Sequence, residues 1–125
     1  MNGEGSYRKA GGYRLIADCL AGKRTREDIT KIMSDSGLRG LGGAGFPAGR
    51  KWQIVAAEPA PRVMAVNIDE GEPGTFKDRV LLNRYLDLVL DGMTVCGFAI
   101  GAQKGFLYLR GEYLFLKAPI EAALE

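Results

Sequence analysis

The stretch Gly37-Leu-Arg-Gly-Leu-Gly-Gly-Ala-Gly-Phe-Pro-Ala-Gly49 constrains this chain more than any other. A glycine costs roughly 1 kcal/mol in a helix interior relative to alanine and weakens a strand, so neither element persists through so dense a run. The run is therefore a structured loop whose backbone visits positive φ, with regular elements on either side. Within it, Gly40-Leu-Gly42-Gly-Ala-Gly45 satisfies G-x-G-x-x-G. A dinucleotide fingerprint needs a strand before that motif and a helix after it, and here a helical pattern precedes. Nor is it a P-loop, because Lys51 does not stand as in G-x-x-x-x-G-K-[ST]. What survives is the physics. Backbone N–H groups free of side chains can approach a phosphate or a flat ring, and Arg39, Arg50 and Lys51 supply positive charge beside them. A tight loop packed on a sheet is the alternative.

Residues 1–12 are polar and Gly-rich and read as a flexible N-terminus, leaving 13–125 as one domain. Tyr13 to Leu20 reads as a helix with Leu15, Ile16, Cys19 and Leu20 on one side, ended by Gly22. Thr25 is placed to cap a second helix over TREDITKIMSDS, with Asp28 completing an acidic variant of the capping box. Pro47 opens a third through Trp52 and Val55. Val63 to Asn67 is a short apolar run that reads as a buried strand. Helices follow over Lys77 to Tyr85 and about Asp87 to Ala102, then a strand over Gly105 to Arg110. Tyr113 to Glu125 reads as a last helix that Pro119 interrupts. Strand, helix, strand, helix in that order implies a parallel crossover and an α/β fold.

Composition removes several classes of function. There is no histidine, so imidazole catalysis is excluded and a catalytic triad has no basis. Lys plus Arg is 17 against 15 for Asp plus Glu, a net charge of +2 and far from the basic excess of a nucleic-acid binder. Two cysteines, Cys19 and Cys96, cannot alone hold a zinc ion or an iron–sulfur cluster, which need about four ligands. Cys96 lies on an apolar helical stripe and reads as core. No apolar run approaches the roughly 20 residues that span a bilayer, and free thiols fit a reducing compartment.

A second loop, Asp69-Glu-Gly-Glu-Pro-Gly-Thr-Phe76, follows the first predicted strand. Asn67, Asp69, Glu70 and Glu72 lie at or beyond its carboxyl end, the edge where open α/β sheets bind ligands. Carboxylates accept from ring N–H or ribose hydroxyl groups, and an asparagine both donates and accepts. Acids here and cations in the glycine loop suit a nucleotide. A solvated acidic turn and a divalent-cation site remain alternatives.

Together, residues 36–52 and Asn67-Ile-Asp-Glu-Gly-Glu-Pro-Gly-Thr-Phe-Lys-Asp-Arg79 resemble the signatures of NADH-oxidising flavoprotein subunits. That family includes the flavoprotein subunits of respiratory complex I and of NAD-dependent formate dehydrogenases, and the diaphorase subunit of NAD-reducing hydrogenases. Phe106-Leu-Tyr-Leu-Arg-Gly-Glu-Tyr113 is similar to it as well, nearest the hydrogenase-type members. The resemblance implies a partial Rossmann-like FMN-binding domain, a parallel sheet with flanking helices and a Gly-rich loop. It implies FMN held by Gly40, Gly42, Gly43, Lys51, Asn67, Asp69 and Glu70, and NADH seated by Phe46 and Glu72. The activity implied is that of an NADH:acceptor oxidoreductase, passing hydride between NAD(H) and FMN and feeding iron–sulfur clusters of a larger complex. Such transfer needs close, dry, oriented rings more than an acid–base residue, so no catalytic side chain and no metal ligand is assigned.

Implied partners are NAD(H) and other subunits of a dehydrogenase or hydrogenase, especially a [2Fe–2S] subunit. The implied setting is cytoplasmic, as a soluble protein or the peripheral arm of a membrane complex, with no nucleic acid and no direct membrane insertion. Leu41 stands where the family commonly has arginine. The family's downstream Gly-Glu-Glu-Thr-type loop and its [4Fe–4S] cysteine motif are absent, so the chain resembles an N-terminal piece of such a subunit. The alternative is a non-catalytic nucleotide-binding or assembly module of a truncated subunit.

Overall fold

A computed structural model describes residues 4–124 of the chain. The elements run α1 (Glu4–Lys9), α2 (Arg14–Leu20), α3 (Arg26–Asp35), α4 (Ala48–Ala57), β1 (Val63–Ile68), α5 (Lys77–Arg84), α6 (Leu86–Ile100), β2 (Lys104–Leu109), a 3-10 segment (Gly111–Leu116) and α7 (Lys117–Leu124). Strands β1 and β2 pair in parallel, with Val63 opposite Lys104 and Ile68 opposite Leu109. The fold is α/β, as the order of elements implied.

Local chemistry sets most boundaries. The Thr25 hydroxyl accepts from the Asp28 N–H, and the Asp28 carboxylate accepts from the Thr25 N–H, a reciprocal cap worth about 1 kcal/mol. The far end of α6 is closed by side chains from elsewhere. Arg26 Nε donates to the Ala99 carbonyl at 3.3 Å and Arg62 Nε to that of Ile100 at 2.7 Å, where cations also complement the helix dipole. Pro119 sits in the first turn of α7, where its missing N–H has no helical partner to lose. The proline thus accompanies the start of a helix that the sequence pattern places from Tyr113 onward. Residues 111–116 before it form the 3-10 segment, and Glu125 lies outside the described residues.

Two apolar clusters hold the elements together. One joins Ile68 of β1 to Leu82, Leu86 and Leu90 of α5 and α6, and to Tyr113, Leu116 and Ile120. The other joins Cys19, Ile29 and Ala99 beneath α2, α3 and α6, with Trp52 of α4 against it. Cys19 is therefore the core cysteine, while Cys96 is only partly buried.

Two further expectations change. Leu15 and Leu20 of α2 are exposed, because its inner face is made by Ile16 and Cys19 alone. β1 is not a fully buried strand: its residues alternate, and Val63, Phe106 and Tyr108 are exposed where nothing among the described residues covers the two-stranded sheet. Within the stretch 1–12, read as a flexible N-terminus, residues 4–9 form helix α1. Tyr7 Oη donates to Asp91 Oδ2 of α6 at 2.8 Å, and the Tyr7 and Tyr13 rings meet edge to face. Residues 1–3 lie outside the described residues.

Candidate functional site

The glycine loop is clasped at its stem and open at its tip. Arg39 and Pro47 form an isolated antiparallel bridge, with the Gly40 N–H donating to the Phe46 carbonyl and the Ala48 N–H to that of Leu38, each at 2.9 Å. Arg39 Nη1 ties the turn again through the Gly45 carbonyl at 3.1 Å. The glycines divide by what demands them. Gly43 and Gly45 have φ of 105° and 62°, the left-handed region that disfavours side chains. Gly49 lets α4 touch α3, since a Cβ there would lie 2.6 Å from the Ser34 nitrogen and 2.7 Å from its Cα. Gly42 answers to neither cause: its φ is not positive, and a Cβ on it would meet nothing within 4 Å. Phe46, at 45% exposure, stands beside this open tip, and Lys51 is exposed on α4.

The acidic loop is built differently. Asn67 is the penultimate residue of β1, and its Oδ1 accepts from the Asp69 N–H at 2.9 Å, leaving the amide hydrogens free to donate. The Asp69 carboxylate has no hydrogen bond or ion pair among the described residues. Glu70, by contrast, is 4% exposed. Its Oε1 accepts from Tyr113 Oη at 2.7 Å, and its Oε2 accepts from the Asp78 N–H at 2.8 Å and lies 3.8 Å from Lys77 Nζ. Burial pushes its carboxyl up, but the Asp78 N–H, the Tyr113 hydroxyl, the Arg79 N–H and the Lys77 charge outweigh that and hold it below the ordinary glutamate range. The same bond to Glu70, with burial, raises the Tyr113 phenol. Arg110 Nη1 donates to the Glu70 carbonyl, and its Nε to Glu112 Oε2 at 2.9 Å.

Of the nine residues assigned by resemblance, Gly40, Gly42, Gly43, Phe46, Lys51, Asn67, Asp69 and Glu72 are exposed, and Glu70 alone is buried. Asn67, Asp69 and Glu70 are brought together at the carboxyl end of β1. No hydrogen bond or ion pair among the described residues joins the glycine loop to the acidic loop. None of the nine lines either of the two cavities described, of about 970 and 420 Å³. The candidate site residues thus lie on or beside two exposed loops rather than in a cavity. Arg110 and Tyr113 were missed as site residues. The signal was available: parallel pairing of β1 and β2 brings the residues after Leu109 beside those after Ile68, so a cation and a phenol meet a run of acids.

The donor set suits FMN. A flavin edge offers ring N–H and carbonyl groups, which match the free Asp69 carboxylate and Asn67 amide. The phosphate matches Lys51 and Arg50, and uncovered backbone at Gly42 lets a flat ring approach.

Comparison with known proteins extends this chemistry. The family model described as the Nuo51 FMN-binding domain matches residues 33–125. An NADH-quinone oxidoreductase subunit of Rhizobium meliloti is 42% identical over 120 residues, 95% of this chain and 28% of that protein. The NAD-reducing hydrogenase HoxS subunit alpha of Cupriavidus necator is 48% identical over 112 residues, 89% of this chain and 18% of that one. The crystal structure of an NAD+-reducing [NiFe]-hydrogenase in the H2-reduced state superposes with a TM-score of 0.74 at 50% identity, covering 80% of this chain and 17% of that one. The chain therefore spans little more than a quarter, or less, of these relatives.

Proposed function

From the premise that the chain belongs to the Nuo51 FMN-binding domain family, we propose that it forms one wall of an FMN site in an NADH-oxidising flavoprotein. The observation that carries the reading is Gly42, a glycine that neither backbone conformation nor internal packing requires. Helix α4 opens at the glycine loop and leads through residues 58–62 into β1, and we assign its start to that strand's carboxyl edge by analogy with the antiparallel run of helix against strand in α/β folds. Both loops are then assigned to one edge, the usual place for a ligand in an open α/β sheet. Gly40, Gly42 and Gly43 leave room for the ring, Lys51 answers the phosphate, and Asn67 and Asp69 read the polar edge of the flavin. Phe46 offers a stacking face for the nicotinamide, and Glu72 accepts from a hydroxyl. Glu70 contributes through the loop it anchors.

When bound, FMN supplies the ring that takes hydride from NADH. The chain's residues orient that ring and exclude side chains from its face. Electrons would leave through iron–sulfur clusters of other subunits, a [2Fe–2S] subunit among them. No helix among the described residues is long and apolar enough to cross a membrane. The cytoplasmic setting, as a soluble protein or a peripheral arm, is part of the proposal and comes from the family resemblance.

Titrating the 125-residue chain with FMN, read by flavin fluorescence, tests the proposal. Saturable quenching with little NADH–ferricyanide turnover is expected, because the chain spans at most 28% of the relatives compared above. Absence of quenching at millimolar FMN would overturn it.

A further inference from the structure

We propose that Tyr113 and Arg110 are positioning residues, a lock that draws Glu70 inward so that Asn67 and Asp69 face the flavin. The inference rests on the FMN reading above and deepens it. The acidic loop has little internal support: the Thr75 N–H and Oγ1 both bond the Glu72 carbonyl, and Asn67 turns onto Asp69. Such a loop, rich in glycine and proline, holds one shape only if something outside it does the holding. Tyr113 and Arg110 are that support, reaching Glu70 from 43 and 40 residues away in the chain.

The lock is itself held. Tyr113 is 7% exposed within the cluster that includes Ile68, the residue just before the loop. Its N–H donates to the Arg110 carbonyl at 2.9 Å, and the Arg110 guanidinium lies 5.8 Å from its ring centroid. One carboxylate oxygen and the carbonyl of Glu70 are thus gripped from one short segment, residues 110–113, while Asp78 and Lys77 of α5 take the other oxygen. With both carboxylate oxygens and the carbonyl engaged inside, the neighbouring Asp69 carboxylate is left outside.

The groups facing Glu70 are Lys77, Asp78 and Arg79 of α5, Arg110 after β2 and Tyr113 of the 3-10 segment, with Glu112 paired to Arg110 and Glu72 near Lys77. A depressed carboxyl contributes stability above its unfolded value that is lost as pH falls through its folded value. Removing the Tyr113 hydroxyl takes away one of the contacts that depress it, so that contribution becomes smaller and is fully lost at a higher pH.

The test compares wild type, Tyr113→Phe and the exposed control Tyr108→Phe, first without ligand by trypsin cleavage after Lys77 and Arg79, then by FMN titration across pH. Tyr113→Phe should cleave faster, bind FMN about tenfold more weakly, and lose binding at higher pH as acid is added, while Tyr108→Phe matches wild type. If Tyr113→Phe does not fold, Arg110→Lys, which keeps the charge but loses the planar fork, should change the same readouts in the same direction. Faster cleavage with unchanged FMN affinity and acid limb would make the contact a strut and overturn the lock, as would unchanged cleavage. If wild type itself takes up no FMN, the FMN reading falls, and the lock's purpose falls with it. Binding that both variants leave untouched sinks the lock alone.

Discussion

The loop at residues 37–49 is pinched at its stem by the Arg39–Pro47 bridge and by Gly49 against Ser34, while a Cβ added at Gly42, at its tip, would meet nothing within 4 Å. The loop at residues 69–76 has no such clasp, and its shape depends on one carboxylate sunk between Tyr113, Asp78 and Lys77. The first method bares main chain to the outside, and the second bares side chains. A phosphorylated aromatic ring needs both kinds of surface, one that yields to its flat face and one that reads its polar edge. Each loop also contains one residue turned to the protein and a near neighbour turned to solvent: Gly49 and Gly42 in the first, Glu70 and Asp69 in the second.

That division makes separable predictions. Gly42→Ala should weaken FMN binding most, by about a hundredfold or ~2.7 kcal/mol, because even one methyl intrudes on a fitted contact. Its thermal unfolding should match wild type, since the added Cβ meets no protein atom within 4 Å. A drop in melting temperature would show that Gly42 serves the fold. Gly49→Ala should do the reverse. Its methyl would press on the Ser34 backbone and destabilise the chain by about 2 kcal/mol in urea unfolding, with any loss of FMN following from unfolding. Unaltered stability would mean that α3 and α4 are less closely apposed. Asp69→Asn should have the smallest effect, an affinity loss of about tenfold at unchanged stability, from losing one charged acceptor at the flavin edge. If it destabilised the fold as well, the outward placement of Asp69 would be wrong.

Much of this was legible because it depends on neighbours in sequence. The Thr25–Asp28 cap, the helix opened at Pro47 and the loop nature of residues 37–49 each follow from local backbone chemistry. Parallel pairing of β1 with β2 followed from the order of elements. What was misjudged depended on distant partners. Leu20 looked internal by helical spacing yet is 77% exposed, because no element lies over that side of α2. The contact from Tyr7 to Asp91, 84 residues along, which accepts its hydroxyl hydrogen, likewise had no local signal. Asp69 and Glu70 were assigned alike to FMN, and nothing in their spacing separated the buried one from the exposed one.

The glycine and acid patterns settled which chemistry the chain could host, since main-chain freedom and side-chain charge are properties of residues wherever they fold. Which acid turns inward, which glycine stands free and which tyrosine becomes a brace were decided by β1 lying beside β2 and by α3 against α4. Contacts between residues tens of positions apart exist only once the chain has closed, and burial is a property of that closed arrangement rather than of any residue in it.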